Sequence, residues 1–324
     1  MRIYDHWAKT GSRAVSPDGH KLWLVAWGGS NQDVADAEAV ASKSVEAMQQ
    51  RLTEKGFLSG FYDYEHDRSL KEVVIERFGG SENPHAAITR NRYGALVLNS
   101  TRVFFADVDR KEMYVPQELE SRRHLIKAGE NPDNTKKRGL FSRLFGRKTS
   151  TLKAETDDGM ELLQLAAQQR AEQEALIFKR FKDFHEKYPE LSFRVYETAA
   201  GYRVVVTSQT VEPDSKESSE WLDALGSDKL YCKLCEKQEC YRARLTPKPW
   251  RLPECKSKVF YPNGQYAERY DLENWLKKYE EQSKNFSVCK LRESYGGGVV
   301  VDEVAEILKI HDKYVFSQGM EELA

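Results

Sequence analysis

Residues 103–109 form an apolar run that ends in two acids one residue apart, Val-Phe-Phe-Ala-Asp-Val-Asp. A short hydrophobic run of this kind is typical of a buried strand, and alternate residues of a strand point to the same face. Asp107 and Asp109 are therefore expected to lie side by side where the strand ends. Two adjacent carboxylates repel each other unless a cation lies between them, so the pair indicates either a divalent metal site or a solvated acidic turn.

The composition limits the class of protein. A chain of 324 residues with 40% hydrophobic and 31% charged residues can build one or two domains with a sizeable core. The sequence contains no run of 18 apolar residues and no apolar segment at its start, so we expect a cytoplasmic protein with no membrane partner. Its five cysteines then indicate free thiols or a metal site, not a disulfide framework.

The order of the predicted elements favours an α+β fold with a mixed sheet and helices packed on it. Hairpins are too frequent for a doubly wound sheet. We expect the strand that carries Asp107 and Asp109 to be central, with strands at 192–196 and 202–207 beside it. Predicted strands lie at 21–27, 86–98, 102–108, 192–196, 202–208 and 240–245, and predicted helices at 32–55, 159–188, 218–225, 228–238 and 272–281, with a strand that becomes a helix at 299–312.

Three regions follow from this pattern. Residues 1–85 form an N-terminal strand and helix region, residues 86–250 the core, and residues 251–324 a C-terminal region that the cysteines could link to the core. The core carries a basic insertion at 133–155, where seven positive charges occur with no acid between Asn134 and Ala154. We expect this insertion to be flexible, and it is either a contact for nucleic acid or an acidic partner, or a solvated linker.

Three motifs in the core resemble those of the archaeo-eukaryotic primase, or primase-polymerase, superfamily, over about residues 86–250. The first is the strand that ends in Asp-x-Asp at 103–109. The second is a corner of small residues and a strand at 199–206, with Arg203 where that family places histidine. The third is Asp228, followed by an arginine-bearing strand and a proline turn at 241–248.

The resemblance implies a primase-polymerase-like core and a set of functional residues. In that family the acids hold Mg²⁺ or Mn²⁺, which binds the triphosphate and activates the attacking hydroxyl; here those acids would be Asp107, Asp109 and Asp228. Arg203 would contact the phosphates of the nucleotide, because a guanidinium binds phosphate and keeps its charge. The alternative is that Arg203 is a surface strand residue in an ion pair. Arginine does not act as an acid or base near neutrality, so this replacement permits nucleotide binding more readily than a full polymerase cycle.

A basic and aromatic patch follows at 241–251. Arg242 and Arg244 alternate on a strand and are expected to point together, which suits a chain of phosphates. Tyr241 and Trp250 offer rings on which bases can stack, and Lys248 and Arg251 add charge. The alternative is a charged edge strand that discourages aggregation. Residues 243–250 also resemble a stretch found in a scattered set of bacterial proteins, a likeness that adds no activity.

The cysteines leave two interpretations open. Cys235, Cys240, Cys255 and Cys289 could supply the four soft ligands of a structural zinc site. Their spacing is not that of a regular zinc finger or ribbon. Cys232 and Cys235 would share one face of a helix, which is equally typical of buried core thiols.

Three classes of function fit these patterns. The first is a metal-dependent nucleotide- or nucleic-acid-binding protein that resembles a primase-polymerase nucleotidyltransferase, with a nucleoside triphosphate or nucleic acid as partner. The second is a non-catalytic nucleic-acid-binding or interaction protein with the same fold. The third is a glycosyltransferase, because those enzymes also hold Mn²⁺ with Asp-x-Asp. It requires several strand and helix units before the motif, and only 21–55 clearly forms one.

Overall fold

The computed structural model describes residues 1–56, 68–80, 84–111, 126–127, 153–154, 157–255, 272–316 and 322–324. Helices and antiparallel sheets together form the α+β fold that the sequence predicts. The strands are β1 His6–Val15, β2 Lys21–Ser30, β3 Val73–Gly79, β4 Pro84–Arg90, β5 Leu96–Ser100, β6 Phe105–Asp109, β7 Ile126–Lys127, β8 Lys153–Ala154, β9 Phe193–Thr198, β10 Gly201–Val206, β11 Tyr241–Arg244 and β12 Cys289–Tyr295. The helices are α1 Val34–Lys55, α2 Asp157–Lys187, α3 Lys216–Leu225, α4 Lys229–Gln238, α5 Leu272–Ser283 and α6 Asp302–Val315.

The first four-stranded sheet carries the two aspartates, in the order β12-β9-β10-β6. All of its neighbouring strands are antiparallel, where a mixed sheet was expected. Short connections explain this difference, because the two residues between β9 and β10 can join only antiparallel strands. The strand β6 lies at the edge of the sheet and not at its centre, with β10 beside it and β9 one strand further away.

The second four-stranded sheet has the order β11-β5-β4-β3 and is also antiparallel. Its edge strand β11 lies next to β6 of the first sheet. Both sheets take a strand from outside residues 86–250, since β3 precedes that range and β12 follows it. The expected basic insertion at 133–155 lies outside the described residues, apart from the backbone of β8.

Helices cover both faces of the first sheet. The apolar stripe of α2 packs on one face, where the ring of Phe184 lies 5.4 Å from that of Phe193 and Phe178 lies 5.2 Å from Tyr202. On the opposite face, His311 of α6 lies 5.6 Å from the ring of Phe105. Each large side chain that is fully removed from water contributes about 1.5–3 kcal/mol, so these contacts hold the first sheet between two helical layers.

The N-terminal hairpin of β1 and β2 packs one face against α1. The helix begins after Asp33, whose side chain accepts a hydrogen bond from the Asp36 backbone N–H. The approach is close at Gly28, where a Cβ atom would lie 2.1 Å from the Ala37 carbonyl oxygen, so only glycine fits. None of the helices that the structure describes has the length and apolar character needed to cross a membrane.

Candidate functional site

Asp107 and Asp109 lie on the same face of β6, as the alternation of the strand predicts. Asp107 is paired across the sheet with Arg203, and Asp109 with Gly201. A side chain at Gly201 would lie 2.1 Å from the Val108 carbonyl oxygen and 2.9 Å from the Asp109 Cα. The small residue expected at this corner therefore permits the close approach of β10 to the acidic end of β6.

The surroundings of the two carboxylates differ. One carboxylate oxygen of Asp107 accepts a hydrogen bond from Arg203 Nε at 3.3 Å, and the side chain is one-third exposed. Partial burial, together with the negative charges of Asp107 and Asp228, raises the pKa of Asp109 above its usual range. An added positive charge beside Asp109 would relieve this repulsion.

Asp228 is the N-cap of α4, so its carboxylate has a structural partner. Its Oδ1 accepts a hydrogen bond from the Tyr231 backbone N–H at 2.8 Å, and its own N–H donates to the Asp107 carbonyl oxygen at 2.9 Å. Tyr231 in turn donates its hydroxyl to the Phe105 carbonyl oxygen at 2.9 Å. The residue expected to be catalytic thus ties the start of α4 to β6, and it influences Asp109 through its charge.

Arg203 is fully buried, which corrects the expectation that it contacts a phosphate. Besides Asp107, its Nη1 donates to the Arg244 carbonyl oxygen at 3.0 Å and lies 3.1 Å from His311 Nε2 and 3.5 Å from Cys289 Sγ. These partners come from β6, β11, β12 and α6. Arg203 therefore joins the two sheets to the covering helix instead of facing a ligand.

His311 is held as a neutral imidazole. Its Nε2 accepts from Arg203, so its Nδ1 carries the hydrogen and donates to Asp312 Oδ1 at 2.8 Å. Burial and the nearby Arg203 charge together lower the pKa of His311 to about 4, although Asp312 opposes the effect. His311 and Asp312 are neighbours in the sequence, which by itself does not indicate this role. In the structure, the His311 imidazole is a hydrogen-bond acceptor for the buried guanidinium of Arg203.

Three cations converge beyond the end of β6: Arg244, the last residue of β11, Lys248 of the following turn, and Arg251 of a 3₁₀ turn at Pro249–Arg251. We call them the cationic cluster. Within the described residues, no ion pair or hydrogen bond joins their charged groups to an acidic side chain. The Nε of Arg244 is buried without a hydrogen-bond partner there.

The electrostatics of the cationic cluster show mutual repulsion. Burial, followed by the charges of Arg244 and Arg251, lowers the pKa of Lys248 to about 8. Burial and the charge of Arg244 lower the pKa of Arg251 to about 10. Burial also lowers the pKa of Arg244, with Asp107 opposing and Arg203 reinforcing the effect. Cations forced together out of water favour the binding of an anion.

A rigid frame positions the turn that carries Lys248. Tyr279 of α5 donates its hydroxyl to the Pro247 carbonyl oxygen at 2.6 Å and lies 2.8 Å from the Thr246 hydroxyl. The Arg251 N–H donates to the Lys248 carbonyl oxygen at 2.8 Å. The geometry of the cationic cluster is therefore set before any ligand arrives, which reduces the entropy cost of binding.

Arg242 shares the Arg244 face of β11, as expected, but belongs to a different interaction. Its guanidinium forms an ion pair with Glu72, and its Nη1 donates a hydrogen bond to Gln238 Oε1 at 3.2 Å. Glu72 also receives a hydrogen bond from Thr89, which joins Asn99 at 2.8 Å. The expected phosphate contact of Arg242 is thus replaced by a half-buried ion pair that links β11 to the segment before β3.

One of the two expected ring platforms is present beside the cationic cluster. Trp250 packs edge-on against Tyr93, with ring centroids 5.3 Å apart, and Lys248 Nζ lies 5.7 Å from the Trp250 ring. Tyr93 comes from the β4–β5 turn, where Asn91 accepts hydrogen bonds from the N–H groups of Tyr93 and Ala95. Tyr241, in contrast, is fully buried in the core and cannot stack on a base.

The acids at this site form a pair and not a complete metal ligand set. In the parts of the chain that the structure describes, no group of three or more histidine, cysteine, aspartate or glutamate side chains has a metal-binding arrangement. Mg²⁺ often takes only one or two carboxylates from a protein and completes its shell with water and phosphate oxygens. Asp109 and the free oxygen of Asp107 fit that limited role, since a cation would relieve the repulsion at Asp109.

The cysteines are free thiols, and they lie in different parts of the fold. Cys235 and Cys289 lie in the main core, Cys240 in a small cluster with Ile3 and Leu70, and Cys255 in a third cluster around Tyr279. Burial raises the pKa of each of these thiols, so they stay protonated. The structure gives the predicted zinc site no shared position for its four ligands, and we read these cysteines as core packing.

The sequence did not reveal the side chains that form hydrogen bonds or ion pairs with the buried arginines. Glu72 and His311 lie far along the chain from Arg242 and Arg203, and no local pattern links them. The position of Tyr93 could have been predicted, because Asn91 and Gly94 on either side of it indicate a turn, and residues within a turn are usually exposed.

Comparison with known proteins adds no assignment to this geometry. No family model, no curated protein and no solved structure matches the chain.

Proposed function

We propose that this protein binds the phosphate groups of a nucleoside triphosphate or of a nucleic-acid end at the cationic cluster, beside Asp107 and Asp109. One observation carries the proposal. Arg244, Lys248 and Arg251 converge in a partly buried position without an ion pair or hydrogen bond to an acidic side chain in the described part of the chain. Burial lowers their pKa values, even though the charges of Asp107 and Asp109 oppose the effect. A polyanion would remove this repulsion and form charge-assisted hydrogen bonds with each cation.

The aromatic pair favours a nucleotide over a bare phosphate. Trp250 follows Lys248 by two residues and is partly exposed, with Tyr93 supporting its ring from the side. A base stacked on Trp250 would place its phosphates within reach of the neighbouring cations. Stacking is sequence-tolerant, because every base has a π-face, so this arrangement supports nucleotides as a class.

Resemblance to the primase-polymerases extends the proposal to nucleotidyl transfer. Asp107 and Asp109 would hold Mg²⁺ or Mn²⁺, and the ion, when bound, supplies positive charge to the phosphates and lowers the pKa of an attacking hydroxyl. The residues of the chain itself orient the phosphates through the cationic cluster. Arg203 keeps Asp107 in place, so the expected role of a phosphate ligand passes from Arg203 to Arg244.

The test is calorimetric titration of a nucleoside triphosphate at low salt, with and without Mg²⁺. Arg244→Ala and Lys248→Ala should weaken binding, while Lys182→Ala, which removes an exposed lysine from α2, should not. Asp109→Asn should abolish only the part of the affinity that Mg²⁺ adds. Equal affinity in the Arg244, Lys248 and Lys182 variants, or no binding at all at low salt, would contradict the proposal.

The non-catalytic reading makes a different prediction in the same experiment. If the chain is a nucleic-acid-binding or interaction protein without nucleotidyl transfer, binding persists without Mg²⁺ and is unaffected by Asp109→Asn. The repulsion at Asp109 favours the metal-dependent form, because a carboxylate pair held this close benefits from a cation. A cytoplasmic location, which the sequence analysis expects, belongs to the same proposal, and free thiols are compatible with it.

A further inference from the structure

The outer face of the N-terminal hairpin combines tryptophan rings with positive charge. Ser12 and Leu24 point toward α1, since Ser12 bonds Gln49 at 2.9 Å and Leu24 packs with Val45. Because side chains of a strand alternate, the residues between them point away from the helix.

The register places ten residues on that outer face. Two of them, Trp7 and Gly29, lie at an end that Tyr4 covers, and Trp7 is buried there. The other eight, which we call the hairpin face, are Lys9, Gly11, Arg13, Val15, Lys21, Trp23, Val25 and Trp27.

Trp23 is the most prominent member of the hairpin face. Its side chain is 63% exposed, an unusual state for a tryptophan. The indole lies over Gly11, where an added Cβ would be 2.9 Å from Trp23 Nε1. Glycine at this position therefore lets the ring rest against the backbone while much of its surface stays in water, so the ring is held in place without being covered.

Each tryptophan has a cation directly across the strand pair. Arg13 is opposite Trp23, and Lys9 is opposite Trp27, with Lys9 Nζ 5.7 Å from the Trp27 ring centroid. The hairpin face contains no acid among its eight residues. The acids nearest in the chain have other partners, since Asp5 pairs with Arg77 and Asp18 bonds Ser16.

We infer that the hairpin face binds single-stranded nucleic acid. An unpaired base can stack on Trp23, whose ring is largely exposed. Arg13 and Lys21, both exposed, can neutralise the neighbouring phosphates, which is the combination of ring and charge that strand-binding surfaces use. A duplex keeps its bases stacked on each other and cannot offer their faces to Trp23.

This site is separate from the cationic cluster and does not depend on the proposed nucleotide binding. The hairpin face draws all of its residues from β1 and β2, whereas the cationic cluster lies on β11 and the turns after it. A variant of one surface should therefore leave the other unchanged. Trp23→Ala should keep the affinity for a nucleoside triphosphate, and Arg244→Ala should keep the contribution of Trp23 to strand binding.

The test is fluorescence anisotropy of a labelled, mixed-sequence single-stranded oligonucleotide at low salt, with the full chain. Trp23→Ala should weaken binding by about 5- to 100-fold, the loss expected for one stacked base. Trp23→Phe should retain most of the affinity, whereas Trp23→Leu should lose it, because leucine is apolar but cannot stack. Arg13→Ala should also reduce the slope of log affinity against log salt by about 0.7, the value for one phosphate contact on a single strand.

Several results would overturn the inference. Equal affinity of Trp23→Ala, Arg13→Ala and the unchanged chain would show that the strand does not touch the hairpin face. Equal binding of duplex and single strand would exclude base stacking. Full affinity in Trp23→Leu would indicate a general apolar contact, and binding of anionic phosphatidylserine vesicles that Trp23→Ala abolishes would assign the face to a lipid surface instead.

Discussion

Arg203 lies on β10 of the first sheet and Arg244 on β11 of the second, and Arg203 donates a hydrogen bond to the backbone carbonyl of Arg244. Arg203 is buried, and its Nε and Nη1 have acceptors from four elements, while its Nη2 has none. The guanidinium of Arg244, in contrast, forms no ion pair with an acidic side chain in the described residues, and its Nε has no hydrogen-bond partner there. The charge of Arg203 interacts with groups inside the fold, whereas the charge of Arg244 is available to a ligand. An arginine is informative about binding only when its partners are known.

Removal of the Arg203 side chain is expected to have the largest effect and tests whether Arg203 is the structural member of the two arginines. Arg203→Ala leaves the Arg244 carbonyl and Asp107 without their donor and removes a large, fully buried side chain, and such truncations in a core cost about 2–5 kcal/mol. We expect the free energy of unfolding, measured by urea denaturation, to fall by that amount. A variant with an unchanged denaturation midpoint would show that Arg203 is not the structural residue of the pair.

The pH dependence of stability tests the histidine that supports Arg203. The pKa of His311 is about 4 in the folded chain and about 6.5 when unfolded, so the unfolded chain binds the proton more tightly. Stability is therefore complete above pH 6.5 and falls as the pH drops from 6.5 to 4, by about 3 kcal/mol. Urea denaturation across this window should show the decline.

A comparison of two histidine variants isolates this effect from the titration of carboxylates. His311→Gln should flatten the decline between pH 6.5 and 4, because the titrating group is gone. His20→Gln, which removes an exposed histidine from the hairpin turn, should leave it as it was. An identical pH profile in both variants would mean that burial and the Arg203 charge do not hold His311 neutral.

Arg242 and Arg244 offer a matched test on one strand. Arg244→Ala should weaken triphosphate binding by about 1–3 kcal/mol, the value of a hydrogen bond to a charged group, without lowering stability. Arg242→Ala should do the reverse, because it strands Glu72 in a half-buried position while leaving the cationic cluster intact. Calorimetry measures the triphosphate affinity of both variants, and urea denaturation measures their free energy of unfolding. If both variants lose affinity and stability to the same extent, the two arginines do not have the different roles described here.

The smallest expected effect concerns Lys248. With its pKa at about 8, set by burial and by Arg244 and Arg251 against Asp109 and Asp107, the lysine is charged at pH 7 and mostly neutral at pH 9. If the charged form binds the triphosphate, affinity should fall by at most about tenfold over this range, in proportion to the charged fraction. Lys248→Arg should flatten the profile. A profile that falls equally in the arginine variant would assign the titration to another group.

Much of the local structure was predictable. The stripe of Ile177, Phe181 and Phe184 predicts a long helix with one buried face, and α2 confirms it. Asp228 at the start of a predicted helix becomes its N-cap in the structure. The edge position of β6 was not predictable, because an apolar sequence indicates only that a strand is buried. The same sequence would fit a strand covered by a neighbouring strand or one covered by the second sheet and a helix.

Periodicity, turn residues and the Asp-x-Asp end of an apolar strand by themselves determined the α+β class, the positions of most elements and the side-by-side placement of Asp107 and Asp109. Those features depend on residues a few positions apart, which share a turn or a strand face. Only the tertiary structure decided which positive charges are satisfied. Arg203 finds Asp107 at a separation of 96 residues and His311 at 108, and such pairings depend on how sheets and helices pack.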